Sequence, residues 1–185
     1  DGPHAIPNPE NVDEVVGGTG NVLSWPKVAT TGENHDIVHI FATVQGDSTV
    51  ASYYLRTEDL QNWDVKFSPL EQDNLHIGFY NADEYSVSTN GNNIAVVYCG
   101  SIKSHAMLYK STDSGLTWES RIIWEHPYFG YDWETDENSL FDNLYVPSHA
   151  SVAVDVNGVA HVALAVGRVN HLSLGATYTM YYSIH

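Results

Sequence analysis

One connection in the sequence holds most of the side chains that are suited to binding or catalysis. It runs from Glu125 to His149, "EHPYFGYDWETDENSLFDNLYVPSH", between two apolar segments. Aromatic rings stack on the apolar faces of sugars, and carboxylates accept hydrogen bonds from hydroxyl groups. The connection interleaves both kinds of side chain: Tyr128, Phe129, Tyr131, Trp133, Phe141 and Tyr145 with Asp132, Glu134, Asp136, Glu137 and Asp142. It therefore predicts a binding site for a glycan or a peptide.

Eight residues form the predicted ligand-binding set. Long ordered connections are often functional, so most of the set comes from this connection and from the two histidines that flank it. One arginine from a later loop completes it. The set is Trp133, Tyr131, Tyr128, Asp132, Glu134, His126, His149 and Arg168.

The same acids allow a second interpretation, a calcium site. Calcium takes oxygen ligands, and Asp132, Glu134 and Asp136 alternate along "DWETDENS", although the glycine and final glutamate of an EF-hand loop are missing. A third interpretation is structural, in which the rings fill a groove between sheets and the acids are solvated. The sequence leaves all three open, and we expect no cofactor other than calcium.

The net charge limits the classes of partner. Seven Lys and Arg residues against 23 Asp and Glu residues give a formal charge of −16. A field of this sign repels phosphate groups, so neither nucleic acid nor an anionic membrane surface is an expected partner. No run approaches the roughly 18 apolar residues that cross a membrane, so we expect no membrane insertion. A glycan or a protein remains.

The single cysteine, Cys99, excludes an internal disulfide. It lies in the apolar run "NIAVVYCG", where we expect a small buried hydrophobic residue rather than a reactive thiol. The chain begins at Asp1 without an initiator methionine or a signal peptide. This predicts a processed chain or a segment of a longer one.

A repeat with a period of roughly 60 residues organises the chain. The segments "DIVHIFATV", "NIAVVYCGS" and "GVAHVALAV" superimpose, and each is preceded by a short strand and a polar turn. Each is followed by a polar connection and an aromatic-rich strand: "ASYYLR", "HAMLYKS" and "TYTMYYS". Short runs rich in Val, Ile, Tyr and Thr between polar turns are typical of β-strands.

Four antiparallel strands recurring at this period predict the blades of a β-propeller. The fold class is all-β, with residues 1–185 forming a partial propeller domain. The predicted blades cover about residues 25–67, 85–124 and 148–185, the last one incomplete. Because propellers close with about four to eight blades, we expect these three blades to be part of a larger ring. Either a larger chain or self-association would close it.

A turn of a particular kind lies between the third and fourth strands of the second blade. It reads "STDSGLTW", with Ser111, Asp113, Gly115 and Trp118 at its defining positions. Asp113 can accept backbone N–H bonds, Gly115 can take a left-handed conformation, and Trp118 is expected to pack the hairpin onto its own blade. The earlier copy, "RTEDLQNW", keeps Trp63 but lacks the other three residues when aligned on the tryptophan.

This spacing resembles the Asp box of the sialidase and BNR-repeat families. The resemblance implies a sialidase-like propeller in which the box is structural, and it implies that the three blades are half of a six-bladed ring. "IIWEHPYF" and "SVAVDVNGVAHVAL" also resemble secreted BNR-repeat proteins of Bacteroidetes-type bacteria, which implies a secreted or cell-surface location. "EDLQNW" resembles a turn of five-bladed glycosidases as well, so the number of blades stays open.

The sialidase resemblance also implies a catalytic set that this sequence matches poorly. Sialidases hold the substrate carboxylate with three arginines, use a tyrosine nucleophile paired with a glutamate, and use an aspartate as the acid/base. The Arg-Ile-Pro motif of the first blade is absent, and "SWPKV" has a tryptophan where the arginine is expected. Of the arginines Arg56, Arg121 and Arg168, only Arg168 is expected near the central pocket.

These observations predict a secreted or cell-surface recognition module that binds a glycan or a partner protein. One alternative is a glycoside hydrolase, which needs two carboxylates about 5–5.5 Å apart, or farther apart, across the scissile bond. The catalytic residues of such an enzyme would lie partly outside this segment. Another alternative is a scaffold subunit of a surface or secretion assembly.

Overall fold

The structure is a computed structural model that describes residues 22–45, 52–67, 84–99, 104–129, 141–172 and 179–183. All regular secondary structure in these ranges is β-strand. The described part of the chain contains no helix that is long and apolar enough to cross a membrane. The strands are β1 (Val22–Thr31), β2 (Ile37–Gln45), β3 (Ser52–Thr57), β4 (Asp64–Phe67), β5 (Tyr85–Asn90), β6 (Asn93–Tyr98), β7 (Ala106–Ser111), β8 (Glu119–Trp124), β9 (Phe141–Val154), β10 (Ala160–His171) and β11 (Thr179–Ser183).

The strands form three antiparallel sheets in simple meander order. The first two sheets have four strands each, β1-β2-β3-β4 and β5-β6-β7-β8, and the third pairs β10 with both β9 and β11. The first strands of the sheets, β1, β5 and β9, lie next to one another. Consecutive meander sheets that share an inner row of first strands are propeller blades. The predicted all-β propeller fold is therefore confirmed, and the sheets are named blades one, two and three.

Blade two lies between the other blades, and its strands show this in their burial. Every residue from Ile94 to Tyr98 in β6 is fully buried, because both faces of this strand are covered. One face packs on blade one in a cluster that includes Phe41, Tyr54 and Tyr98. The other face packs through Ala95 and Val97 on blade three. The near-continuous apolar runs of the sequence have this origin.

Serine side chains bond the inner strands of blades two and three to each other. The hydroxyl of Ser86 accepts the backbone N–H of Val152 at 3.3 Å, and that of Ser88 accepts the N–H of Val154 at 3.0 Å. These bonds run between strands that point the same way, so the two blades have the same orientation. The backbone of β9 thus gains partners on a side where its own sheet offers none.

The connections divide the molecule into two edges. Odd-numbered strands end at the edge that carries the tight turns, such as 32–36, 112–118 and 155–159, and this is the turn edge. They begin at the opposite edge, where even-numbered strands end, and this is the loop edge. The third blade begins at Phe141 because β10 continues to His171 and pairs with it there. The last part of the long connection Glu125–His149, from Phe141 onward, therefore belongs to strand β9.

Candidate functional site

The turn 112–118 on the turn edge is held by side chains at its predicted positions. The hydroxyl of Ser111 accepts the backbone N–H of Gly115 at 2.8 Å. The carboxylate of Asp113 accepts the N–H of Thr117 at 2.9 Å and its hydroxyl at 2.6 Å. These bonds to Thr117 lower the pKa of Asp113 to about 2. Gly115 adopts a φ of +82°, a left-handed conformation that glycine takes readily.

Trp118 contacts its own hairpin, as predicted, through an indole N–H that donates to the carbonyl oxygen of Gly115 at 3.2 Å, and it also contacts a second partner. Its ring meets the rings of Tyr54 and Phe41 edge-on, at centroid distances of 5.3 and 6.1 Å. Both belong to blade one, so the expectation that Trp118 holds the hairpin on its own blade is incomplete. A β-carbon on Gly115 would stand 1.9 Å from the hydroxyl oxygen of Tyr54. The turn is therefore pressed against the neighbouring blade.

Arg56 of blade one completes this seam. Its Nε donates to the carbonyl oxygen of Ser114 at 2.8 Å, and its other nitrogens face Glu58 and Asp64. Arg121 lies on β8 opposite Leu108, and the third arginine lies on β10. The three arginines are thus spread over three blades and do not assemble a carboxylate-binding triad.

The corresponding turn of blade one is one residue shorter than the alignment on Trp63 assumes. The hydroxyl of Thr57 accepts the N–H of Leu60 at 2.9 Å, as Ser111 accepts from its own turn. Asp59 accepts the N–H groups of Gln61 and Asn62 at 2.9 and 2.7 Å, and its bonds with Asn62 lower its pKa to about 2. Thr57 and Asp59 therefore do what Ser and Asp do in blade two. Arg56 and Glu58, which the alignment places there, do not.

On the loop edge, aromatic and histidine rings fix the start of the long connection. We call His105, Trp124, His126, Tyr128 and Phe129 the aromatic–histidine cluster. The rings of His105 and Phe129 stack with centroids 4.5 Å apart. The ring of Trp124 meets that of His126 edge-on at 5.4 Å. The cluster joins the loop before β7 to the chain that leaves β8, and both belong to the loop edge.

Each of the two histidines of the cluster accepts a backbone hydrogen bond at its Nδ1 atom. The N–H of His126 donates to Nδ1 of His105 at 2.8 Å, and the N–H of Tyr128 donates to Nδ1 of His126 at 2.9 Å. An imidazole that accepts at Nδ1 carries its proton at Nε2 when neutral. Both histidines are buried, whereas Phe129 is 38% exposed. The buried rings thus hold an exposed ring in place.

Two other predicted ligand-binding residues lie elsewhere than expected. His149 lies well inside β9, opposite Ala165 and with Ser148 as a hydrogen-bond neighbour, rather than beside His126 at the loop edge. Arg168 lies within β10, paired with Tyr145, and not in a loop. The reason in both cases is that β9 and β10 extend farther than the apolar pattern indicates. Arg168 nevertheless remains near the loop edge, because β10 ends there.

The centre of the predicted set lies outside the described residues. This applies to Tyr131, Asp132, Trp133, Glu134 and Asp136, and so to all three calcium candidates. Within the described ranges, no group of three or more His, Cys, Asp or Glu residues could hold a metal ion. Cys99 is buried as predicted, and burial raises the pKa of its thiol to about 12, which leaves it unreactive.

Sequence reasoning missed one residue of the loop edge, Trp25. It lies in a bulge of β1, between the paired residues Ser24 and Lys27, and 41% of its surface is exposed. Its φ of +51° is left-handed. The hydroxyl of Tyr85 donates to the carbonyl oxygen of Trp25, and Lys27 lies 4.7 Å above the Tyr85 ring. The signal was present as "SWPKV", a Trp-Pro pair at the start of an inner strand.

No protein-family model matches the chain, and no curated protein matches it. Among solved structures, it is similar to an alpha-L-arabinofuranosidase of Clostridium thermocellum, with 13% identity and a TM-score of 0.44 over 94% of this chain and 60% of that one. It is also similar to a Trypanosoma rangeli sialidase in complex with 2,3-difluorosialic acid, with 11% identity and a TM-score of 0.40 over 88% of this chain and 31% of that one. A third similar structure is a mutant of Trypanosoma rangeli sialidase displaying trans-sialidase activity, with 12% identity and a TM-score of 0.39 over 85% of this chain and 30% of that one.

The chain thus spans 60% of the arabinofuranosidase and less than a third of each sialidase. Likeness at this level does not extend to activity.

Proposed function

We propose that this chain is part of a secreted or cell-surface propeller that binds a glycan through its loop edge. In this proposal the turn 112–118 is a structural Asp box of the BNR-repeat type, and the protein is bacterial. The observation that carries the proposal is that the exposed aromatic rings of the described residues all lie on one edge. Trp25, Tyr128, Phe129 and Tyr145 are all at least one third exposed there.

The physical argument is that these rings are held ready rather than merely exposed. Large aromatic side chains are usually well buried, and an exposed group of them marks an interaction surface. Phe129 is stacked on His105, and the backbone beside it is fixed by His126. A ring fixed in this way loses little conformational freedom when a sugar stacks on it, which favours binding.

The hydrolase alternative receives less support from the described part of the chain. The acids that flank blade two at the loop edge are Glu84, just before β5, and Glu125, just after β8. Those strands are three sheet positions apart, which separates the two backbones by about 14 Å. Paired carboxylates of glycosidases stand about 5–9.5 Å apart.

A protein ligand or a scaffold role would use the same exposed rings, and the choice of ligand is tested directly. Binding of a broad glycan panel is measured by array and then by calorimetry, for the protein and for Phe129→Ala. We expect at least one glycan to bind and Phe129→Ala to weaken it about tenfold, the order of an aromatic contact. Trp133→Ala and Tyr131→Ala extend the test along the predicted set.

Leu116→Ala is the matched control. Leu116 is an apolar residue of the turn edge with 56% of its surface exposed, so its loss removes exposed apolar area far from the loop edge. We expect unchanged affinity for this variant. The proposal fails if no glycan binds, or if Leu116→Ala weakens binding as much as Phe129→Ala.

A further inference from the structure

We infer that Trp25 is a stacking platform for an uncharged sugar ring at the inner end of the loop edge. This rests on the proposed function and names its ligand class more narrowly. The starting point is the backbone of Trp25, which has a φ of +51° in the middle of a strand pairing. A bulky L-residue resists this conformation because its β-carbon approaches the backbone.

The position of this strain is unusual within the described chain. The other residues with positive φ, apart from glycines, are His35, Leu60 and Ser114. Each of these lies in a tight turn on the turn edge, where a left-handed residue is part of the turn. Trp25 instead lies in a bulge of β1 on the loop edge. Bulges of this kind re-aim a side chain, and strained residues gather at ligand sites.

The neighbours of Trp25 hold its backbone and leave its ring exposed. Tyr85 is fully buried, and its hydroxyl donates to the carbonyl oxygen of Trp25 and lies 3.2 Å from that of Phe41. The next blade therefore clamps the bulge. Trp25 nevertheless remains 41% exposed, although tryptophan is a highly buried residue type on average. The fold thus maintains the strained backbone of Trp25 without burying its side chain.

The charges around the platform favour an uncharged ligand. The nearby cation is Lys27, and its ammonium group already lies over the Tyr85 ring. Arg56 is bound at the turn edge, Arg121 lies on an outer strand, and Arg168 lies toward the loop edge but on the middle strand of blade three. The chain carries a formal charge of −16, and this field disfavours anionic sugars. An uncharged ring, stacked by its C–H face, remains the best match.

Three substitutions at position 25 test the inference. Trp25→Asn and Trp25→Gly put residues there that tolerate a left-handed backbone, so they remove the ring and relieve the strain together. Trp25→Phe keeps an aromatic face and the strain. Binding of cello-, manno- and galacto-oligosaccharides is measured by calorimetry, alongside the same galacto-oligosaccharides carrying terminal sialic acid. The thermal unfolding midpoint of every variant is measured as well.

We expect Trp25→Asn and Trp25→Gly to bind at least one uncharged oligosaccharide about tenfold more weakly, with an unfolding midpoint that is unchanged or raised. Trp25→Phe should keep most of the affinity, and the sialylated ligands should bind the protein more weakly than their uncharged counterparts.

Contrary outcomes separate this inference from the proposed function. If Phe129→Ala weakens glycan binding while Trp25→Asn does not, the loop edge binds glycans but Trp25 is not the platform. Preference for the sialylated ligands would overturn the ligand class, and lower midpoints for both Trp25→Asn and Trp25→Gly would show that the ring is a structural element. If the protein binds no glycan at all, the proposed function fails and this inference fails with it.

Discussion

Acidification from pH 7.5 to pH 5 should weaken the seam between blades one and two through a single imidazole, that of His39. This side chain is fully buried between Thr31, whose hydroxyl oxygen is 2.7 Å from Nε2, and Tyr54, whose hydroxyl oxygen is 2.9 Å from Nδ1. Burial, and secondarily the charge of Arg56, lowers the pKa of His39 from 6.5 to about 4. The folded protein therefore resists protonation there, whereas the unfolded chain accepts it.

The sign and size of the effect follow from this difference. Between pH 6.5 and about pH 4 the unfolded state binds more protons at His39 than the folded state does. The contribution of neutral His39 to stability is therefore complete above pH 6.5 and is lost as the pH falls through this interval. One pH unit corresponds to about 1.4 kcal/mol. The loss attributable to His39 is therefore about 2 kcal/mol at pH 5 and about 3 kcal/mol below pH 4.

The assay is chemical denaturation at pH 7.5 and pH 5 for the protein and for His39→Gln, which keeps hydrogen-bonding groups but does not titrate. We expect the free energy of unfolding to fall by about 2 kcal/mol less in His39→Gln than in the protein. His161→Gln is the matched control, because His161 is the predicted repeat equivalent of His39 but is exposed and bonded to Asp155. Equal pH dependence in the protein and in His39→Gln would refute the reasoning.

Two further predictions concern the turn edge and the calcium candidates. Gly115→Ala should lower the free energy of unfolding by about 3 kcal/mol, through a left-handed β-carbon and its collision with Tyr54. Gly91 is also left-handed, but no atom lies near the carbon that Gly91→Ala adds, so this control should lower the free energy of unfolding by only about 1 kcal/mol. Equal losses of stability for the two variants in thermal melts would contradict the proposed collision with Tyr54. If the acids of the long connection hold calcium, calorimetric titration with calcium should detect binding, and Asp132→Asn and Asp136→Asn should abolish it. Absence of binding heat in the unmodified protein would contradict the calcium site.

The repeat made the strands predictable because each blade must bury an alternating or continuous apolar run. It could not show which side of a sheet a neighbour covers. His39 faces blade two and is fully buried, whereas His161, at the same repeat position, lies on the face of blade three that no described sheet covers. Trp118 was predicted to be structural, but its contact with blade one depends on the stacking of sheets. That stacking leaves no periodic mark in the sequence.

Local length and backbone conformation were the other limits. The turn of blade one is shorter by one residue, and an alignment on Trp63 hides this because tryptophan is the most visible residue of the motif. The extensions of β9 and β10 moved His149 and Arg168 from expected loops into strands. The Trp-Pro pair of "SWPKV" was the one sign of Trp25 in the sequence, and its left-handed φ could not be predicted because it depends on the clamp from Tyr85, some 60 positions along the chain.

The seam between blades one and two has a consequence for how the architecture can be divided. The turn that belongs to blade two by sequence is completed by Tyr54 and Arg56 of blade one. A cut made between blades, at the boundary that the repeat suggests, would leave that turn without the surface on which it rests. We therefore expect the junction of blades one and two to open as one cooperative unit, so that the two blades exchange their amide hydrogens together rather than one at a time. Recombination that preserves such a junction would have to cut within blades rather than between them. The boundaries of the sequence repeat would then differ from the boundaries of the unit that folds.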